Sequence, residues 1–227
     1  MKNSKHIFFD LDHTLWDFDK NSALAFERIF TTFKIEMEYT RFRKIYEPIN
    51  FEYWKRFRED RVNKEELRRG RLIDSFKKFE IEFPMETIDS LAEAYIDELP
   101  GNNHLFPGTI EILEYLSAKY ELHIITNGFK NVQHIKLDKS NIGHYFKTVT
   151  TSEEVGVKKP NPLVFQYALK QANAKAMDSV MIGDTFEADI LGAEAVGMHT
   201  IFYNYRNENL PQKYIKVDSL LEIQHYL

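Results

Sequence analysis

The strand-like segments of this sequence are distributed unevenly, and that distribution limits the possible folds. One such segment, residues 5–10 (KHIFFD), stands at the beginning, and its successive apolar positions are typical of a strand buried on both faces. Helical patterns separate the others. The alternation predicts an α/β fold in which a Rossmann-like parallel sheet carries helices on both faces. The further predicted strands are residues 120–126, 146–151, 179–183 and 199–203.

Between the first and second predicted strands lies a long segment with helical patterns and no strand-like run. Phe42, Ile45, Ile49 and Phe57 recur at helical spacing, and Pro48 is expected to break or kink that helix. We therefore predict an inserted all-helical cap domain over the carboxyl ends of the strands, where α/β sheets bind ligands. The predicted division is residues 1–17 with 97–227 for the core and 18–96 for the cap.

Composition excludes several classes of function. The chain of 227 residues has no cysteine, so disulfides, zinc–thiolate sites and thiol nucleophiles are excluded. A net charge of −5 argues against a nucleic-acid binder. No apolar run is long enough for a signal peptide or a membrane span, so a cytoplasmic protein without a membrane partner is expected. The eight histidines show no HxxxH spacing and are interpreted as structural or surface residues. No protein partner is inferred.

Polar residues follow four of the predicted strands at the point where each strand ends. Because the carboxyl ends of parallel strands meet at one edge of a sheet, these residues are expected to lie together. They are Asp10 and Asp12, then Thr126, Asn127 and Gly128, then Lys159 in VKKPNP, and Asp184 in GDTFEAD.

Carboxylates at that edge predict a site for a hard divalent cation. A carboxylate attacks an anionic substrate only where positive charge offsets their repulsion, and magnesium prefers oxygen ligands. Asp10, Asp184 and the backbone carbonyl of Asp12 are the predicted ligands of Mg²⁺. The side chain of Asp12 then serves proton transfer.

The remaining polar residues have supporting roles in this interpretation. Thr126 and the backbone N–H groups around Asn127 and Gly128 are expected to hold oxygens of the transferring group. Lys159 is expected to neutralise its charge and to fix the nucleophile. Asp189 is expected to orient its neighbours rather than to contact the metal.

These motifs, in this order, resemble those of the haloacid dehalogenase superfamily of phosphohydrolases. The motifs are DLDHTL, TNG, KKP and GDTFEAD, and the resemblance covers the whole chain. It implies that Asp10 is the nucleophile that forms an aspartyl-phosphate, and that Asp12 is first the general acid and then the base. Thr14, Thr126 and Lys159, the lysine directly before proline, take supporting roles, with Thr14 at the phosphate. The founding dehalogenases lack the second acid, so Asp12 favours phosphate chemistry.

The finer resemblance is to bacterial pyrimidine nucleotidases, carried by TNGFKNVQHIKLDKSNIGHYF and TSEEVGVKKPNPLVF. It implies a small phosphorylated metabolite, a nucleoside 5′-monophosphate, as substrate. The alternatives are a sugar phosphate or phosphoglycolate phosphatase or a phosphomutase on the same machinery. A more remote one is a phosphate-ester binding module without catalysis, against which the intact acid pair stands. Trp16 and Phe18 either stack on a base or pack at the joint to the insert.

Overall fold

The fold is described by a computed structural model that covers residues 4–227. The chain forms two compact units. One unit, the sheet unit, comprises the described residues up to Phe18 together with Asn103–Leu227. The other, the helical unit, is the continuous segment Asp19–Asn102. A single insertion after the first strand therefore accounts for the helical unit.

Helices make up the regular structure of the inserted segment, as predicted. The second of these helices runs through Pro48 without interruption, so the prediction of a break there is wrong. Pro48 is exposed, whereas Tyr46 and Asn50 on either side of it are buried. Packing of the buried face stabilises the helix despite the hydrogen bond that proline removes on the solvent side. The bounds are α1 Phe18–Thr32, α2 Tyr39–Arg58, α3 Lys64–Lys77 and α4 Met85–Glu98.

Aromatic side chains form the core of the helical unit. The ring of Phe26 lies 4.6 Å from that of Tyr95, 4.7 Å from that of Tyr46 and 5.3 Å from that of Phe42. Aromatic pairs at such separations stabilise a core beyond the area that they bury. The unit therefore has an apolar core of its own.

The sheet unit contains a six-stranded parallel sheet, which confirms the predicted fold class. Five strands match the five predicted segments. The sixth was missed because it is only two residues long and offers no periodicity. The strands are β1 His6–Phe9, β2 Glu121–Thr126, β3 Phe146–Thr151, β4 Ser179–Gly183, β5 His199–Tyr203 and β6 Lys216–Val217.

The strand order β3-β2-β1-β4-β5-β6 places β1 at the point where the order reverses. Successive connections lead from β1 outward to β3 on one side, and the chain returns to β4 on the other. Ligands of open α/β sheets bind at such a point, beyond the carboxyl ends of the strands. A ligand site is therefore expected beyond the ends of β1 and β4, at Phe9 and Gly183.

Helices and short helical turns surround the sheet. Phe8, Ile125 and Met181 pack with Phe165 of the helix before β4, and the central strands are buried along nearly their whole length. The helices of this unit are α5 Thr109–Ser117, α6 Lys130–Lys139, α7 Ser152–Val155, α8 Pro162–Gln171, a π-helix Phe186–Leu191 and α9 Gly192–Glu194. Over residues 4–227, no helix combines the length and apolar character needed to cross a bilayer.

Candidate active site

Three buried carboxylates meet beyond the ends of β1 and β4. Asp10 follows β1 and Asp184 follows β4, and these strands are hydrogen-bonded neighbours. Asp189 joins them from the π-helix. One oxygen from each of the three side chains lies within 4.8 Å of the others. The structure thus brings together the acids that the sequence assigned to one edge of the sheet.

Lys159 is the counter-ion of this cluster. Its Nζ donates to Asp10 Oδ1 at 2.7 Å, to Asp189 Oδ1 at 2.6 Å and to the carbonyl of Ile125 at 2.8 Å. These three acceptors use all three protons of the ammonium group. Burial disfavours the charged lysine, but the carboxylates of Asp10 and Asp189 outweigh burial, and the pKa of Lys159 is raised. Lys159 is therefore a fixed cation beside Asp10.

One lysine does not balance the negative charge of the cluster. Burial raises the pKa of Asp10 to about 7, against the attraction of Lys159 and with added repulsion from Asp189. Burial, followed by the charges of Asp10 and Asp189, also raises the pKa of Asp184 well above its ordinary value. Neighbouring buried carboxylates repel one another when they ionise. A bound divalent cation would offset this repulsion and stabilise their ionised forms.

The donor atoms at this site suit magnesium. Asp10 and Asp184 each offer carboxylate oxygen, which is the ligand type of hard cations. Asp189 is already engaged, because its Oδ1 accepts from Lys159 and its Oδ2 accepts from the backbone N–H of Thr185 at 2.9 Å. Asp189 thus orients Lys159 and the start of the π-helix, and Asp10 with Asp184 are the residues that fit a cation.

The hydroxyl of Thr126 is oriented by two donors at the end of β2. Its Oγ1 accepts the N–H of Gly128 at 3.1 Å and the side-chain amide of Gln133 at 2.7 Å. A hydroxyl has one proton to donate and two lone pairs. Because both lone pairs are used, the Thr126 proton is left for an acceptor such as a phosphate oxygen. The N–H of Gly128, expected at the phosphate, is instead directed to Thr126.

The turn after β2 also holds the loop that carries Lys159. The Asn127 side chain donates to the carbonyl of Lys159 at 3.0 Å and accepts its backbone N–H at 2.8 Å. Gly128 is required here for space, because a Cβ at this position would lie 2.2 Å from Nε2 of Gln133. The side chain of Asn127 thus positions the lysine, and only its backbone is left for the phosphate role.

Asp12 is held by two residues of α6 that the sequence analysis did not identify. Lys136 Nζ donates to Asp12 Oδ1 at 2.5 Å, and Gln133 Nε2 donates to Asp12 Oδ2 at 3.0 Å. Burial lowers the pKa of Lys136, although Asp12 acts in the opposite direction. Gln133 and Lys136 lie three apart on one helix face, and both are buried beside Val132 and Leu137. The signal for these two residues in the sequence is that they are polar but stand within the apolar stripe of a helix.

The other residues of the first loop that have predicted roles are buried. Thr14 is fully buried, and its Oγ1 donates to Asp184 Oδ1 at 3.4 Å, so it contacts a predicted metal ligand. Trp16 is fully buried and Phe18 nearly so, which supports packing rather than stacking on a base. The ammonium group of Lys136 lies 4.2 Å from the ring centroid of Trp16, a cation–π contact.

A second unforeseen group lies between the first loop and residues beyond β5. The Tyr205 hydroxyl lies 2.7 Å from His13 Nδ1. Arg206 Nη1 donates to Asp184 Oδ2 at 3.4 Å. Burial, with the positive charges of Arg206 and Lys136, lowers the pKa of His13 well below its ordinary value. The imidazole at the rim of the site is therefore neutral at physiological pH.

Comparisons with known proteins agree with this geometry. The family described as "Haloacid dehalogenase-like hydrolase" matches residues 7–203. Pyrimidine 5′-nucleotidase YjjG of Escherichia coli is 32% identical over 97% of this chain and 96% of its own. A glyceraldehyde 3-phosphate phosphatase of Pyrococcus abyssi is 30% identical over 88% of this chain and 82% of its own.

Among solved structures, the putative HAD-hydrolase YfnB of Bacillus subtilis superimposes on 99% of both chains with a TM-score of 0.90. The two sequences are 26% identical. That crystal structure is described as bound to magnesium and as revealing interdomain movement. The fold is therefore shared with a known structure over nearly the whole chain.

Proposed function

The chain belongs to the haloacid dehalogenase-like hydrolase family and is a phosphatase of it, and from this premise we propose that it hydrolyses nucleoside 5′-monophosphates through an aspartyl-phosphate on Asp10, with Mg²⁺ as cofactor. The observation that carries this proposal is the pairing of Asp10 with the buried Lys159 beside Asp184. A carboxylate fixed by one oxygen has its other oxygen available for attack.

In the first step, Oδ2 of Asp10 attacks the phosphorus of the ester. A bond forms between this oxygen and phosphorus, and the bond from phosphorus to the leaving oxygen breaks. The Asp12 carboxyl gives its proton to the leaving oxygen, which departs as a nucleoside hydroxyl. Lys136 and Gln133, which contact Asp12, hold it in position for this transfer.

In the second step, water replaces Asp10 on phosphorus. The Asp12 carboxylate takes a proton from the water, whose oxygen then attacks phosphorus as the bond to Asp10 breaks. Inorganic phosphate leaves, and both aspartates regain their starting forms. Throughout, the Thr126 hydroxyl is the donor beside the charge that develops on the transferring group, and Lys159, whose three protons are engaged, supplies a fixed positive charge next to it.

Asp10, Asp184 and the carbonyl of Asp12 are the groups that would hold magnesium. When bound, the ion neutralises charge on the phosphate and on the two carboxylates. Thr14, which donates to Asp184, supports one of these ligands, and Asp189 supports Lys159.

The nucleotide assignment is supported by similarity over nearly the full chain to YjjG, a pyrimidine 5′-nucleotidase. A second candidate is a sugar-phosphate phosphatase, favoured by the glyceraldehyde 3-phosphate phosphatase of Pyrococcus abyssi at 30% identity. We further propose that the helical unit, Asp19–Asn102, is the cap and sets which ester is hydrolysed. Exchanging this segment for that of the Pyrococcus enzyme should then move the substrate preference towards the sugar phosphate.

A substrate panel tests the proposed function. We expect pyrimidine nucleoside monophosphates to exceed glyceraldehyde 3-phosphate and phosphoglycolate in kcat/KM by at least about 10-fold, which corresponds to about 1.4 kcal/mol of transition-state binding. Turnover of p-nitrophenyl phosphate should require Mg²⁺ and disappear with a chelator. A higher kcat/KM for a sugar phosphate would contradict the nucleotidase proposal, and absence of turnover of every ester with Mg²⁺ would contradict catalysis itself.

A further inference from the structure

A second group of metal-ligating side chains lies at the amino-terminal end of β1 and on its neighbour β2, whereas Asp10 follows the carboxyl end of β1. His6 is the first residue of β1, Glu121 is the first residue of β2, and His123 follows two residues later. One donor atom of each lies within 4.8 Å of the other two. Asp10 lies four residues after His6, about 13 Å away at the rise of a β-strand. This His6–Glu121–His123 cluster is therefore separate from the phosphatase site.

The sheet itself fixes the positions of the three side chains. His6 is paired in register with Glu121, and Phe8 is paired with His123. Side chains two apart on one strand share a face, and in-register neighbours of adjacent strands point to the same side. All three residues thus project from one face of two hydrogen-bonded strands. Ligands mounted on paired strands are held more rigidly than ligands on loops.

Two separations between the donor atoms are close to those of a tetrahedral metal site. His6 Nδ1 lies 3.2 Å from His123 Nε2 and 3.5 Å from Glu121 Oε2. Ligands bound to zinc at 2.0–2.2 Å in tetrahedral geometry are about 3.4 Å apart. Without a metal, the same imidazole pair shares one hydrogen bond. An ion needs only to take the place of that shared proton.

The ring of His123 is oriented by its neighbours. Its Nδ1 lies 2.9 Å from the Thr148 hydroxyl, and the ring stacks on Phe8 with centroids 4.6 Å apart. When Nδ1 donates to Thr148, Nε2 presents its lone pair towards His6. Such an outer hydrogen bond commonly fixes metal-bound histidines.

We propose that the His6–Glu121–His123 cluster binds one divalent ion of the zinc type, which ties β1 to β2 at their first residues. Two imidazoles and one carboxylate suit zinc, cobalt or nickel rather than magnesium. The fourth position is left for water, as in three-ligand zinc sites. Solvent access is through Glu121, whose side chain is 56% exposed, whereas that of His6 is 13% exposed.

The sequence carried a weak signal for this site. The run Glu121-Leu122-His123 places two possible ligands two residues apart in a predicted strand, which directs them to one face. The third, His6, is more than a hundred residues away in sequence, and only the pairing of β1 with β2 brings it close. A search for helical ligand spacing such as HxxxH does not detect it.

The experiment is a titration of the metal-depleted full-length chain with Zn²⁺ and with Co²⁺, in an Asp184→Asn background and with excess Mg²⁺ to occupy oxygen-rich sites. We expect one equivalent of either ion to bind. Co²⁺ should give the visible absorption of a tetrahedral nitrogen and oxygen environment, and Zn²⁺ should raise the unfolding temperature.

Variants locate the ion. Glu121→Gln changes an exposed side chain and should leave the fold intact. Each of the single variants Glu121→Gln and His6→Gln should lower the Zn²⁺ affinity at least about 10-fold. Thr148→Val, which keeps all three ligands, should lower the Zn²⁺ affinity about 10- to 100-fold. His134→Gln, an exposed histidine on α6, is the matched control and should bind like the parent. Absence of binding by the parent, or affinities of Glu121→Gln and His6→Gln equal to the control, would overturn the proposal.

Discussion

At the scale of single residues, the site depends on how a few buried charges are shared. Lys159 divides its three donors between Asp10, Asp189 and a carbonyl, so removal of any one acceptor leaves the lysine paired. Asp12, in contrast, depends on Lys136 and Gln133, both from α6. The residues that hold Asp10, the proposed nucleophile, and those that hold Asp12, the proposed proton-transfer group, therefore come from different elements. Substitutions in the two sets should have different effects on catalysis.

Lys136→Met tests the residue that holds Asp12. The change removes the ammonium group but keeps an unbranched chain to pack on Trp16, so the fold should persist. Because Asp12 is then held only by Gln133, we expect kcat to fall about 10- to 100-fold, less than the roughly 100- to 10,000-fold that a general acid–base contributes in full, with little change in KM. Steady-state kinetics on a nucleoside monophosphate measure both constants.

The matched control is Lys139→Met, an exposed lysine near the end of the same helix. It should have kinetic constants like those of the parent. A Lys136→Met variant with an unchanged kcat would show that the contact with Asp12 does not serve the reaction.

At the scale of elements, the turn from β2 into α6 combines three functions within a few residues. It orients the Thr126 hydroxyl, locks the loop of Lys159 through Asn127, and accepts the close approach of Gln133 at Gly128. All three depend on the backbone conformation of the turn, so a small change in that conformation should affect several of them together.

Gly128→Ala tests this close approach. The added methyl group would meet the buried Gln133 amide at 2.2 Å, which forces Gln133 away from Thr126 and Asp12. We expect kcat/KM to fall about 10-fold or more and the free energy of unfolding to fall by about 1–3 kcal/mol, as in overpacked cores.

The double variant Gly128→Ala/Gln133→Ala removes the clash while it loses the same hydrogen bonds. Its loss of unfolding free energy should therefore be smaller than the sum for the two single variants. Additive losses, measured by chemical denaturation, would mean that Gly128 is not limited by Gln133.

The elements differ in how far the sequence could predict them. The apolar runs before Asp10 and Asp184 predict both the strands and the meeting of their acids, because parallel strands expose their ends at one edge. The break predicted at Pro48 is wrong because the free-energy cost of a proline within a helix also depends on which face of that helix is buried. Gln133 and Lys136 stand in the apolar stripe of a helix, but that pattern does not show that they contact Asp12, and no pattern in the sequence marks the contact of Arg206 with Asp184.

At the scale of the whole molecule, the buried carboxylates couple stability to pH and to divalent cations. The pKa of Asp10 rises from an ordinary value of 3.8 to about 7 in the folded chain. The folded state therefore holds this proton more tightly than the unfolded state. The resulting stabilisation is complete below pH 3.8 and is lost as the pH rises towards 7. The shift of Asp184 has the same sign.

The free energy of unfolding of the chelator-treated protein should thus fall between about pH 4 and 7 because of this site. Addition of Mg²⁺ should restore it at neutral pH. Asp10→Asn removes one titrating group, so at neutral pH without divalent cations the variant should unfold at the same or a higher temperature than the parent. Thermal unfolding across this pH range measures both. A variant that is less stable than the parent at neutral pH would contradict the electrostatic account.

The central claim, covalent catalysis by Asp10, is tested most directly by trapping the intermediate. An Asp12→Asn variant is mixed with p-nitrophenyl phosphate labelled in its phosphate, whose leaving oxygen departs without a proton donor, and the protein is then quenched in acid and analysed by peptide mass. The account predicts label covalently bound to the peptide that contains Asp10 and released by hydroxylamine, with none in the Asp10→Asn/Asp12→Asn variant. Turnover by the parent without any labelled protein in this experiment, or label that persists in the double variant, would contradict it.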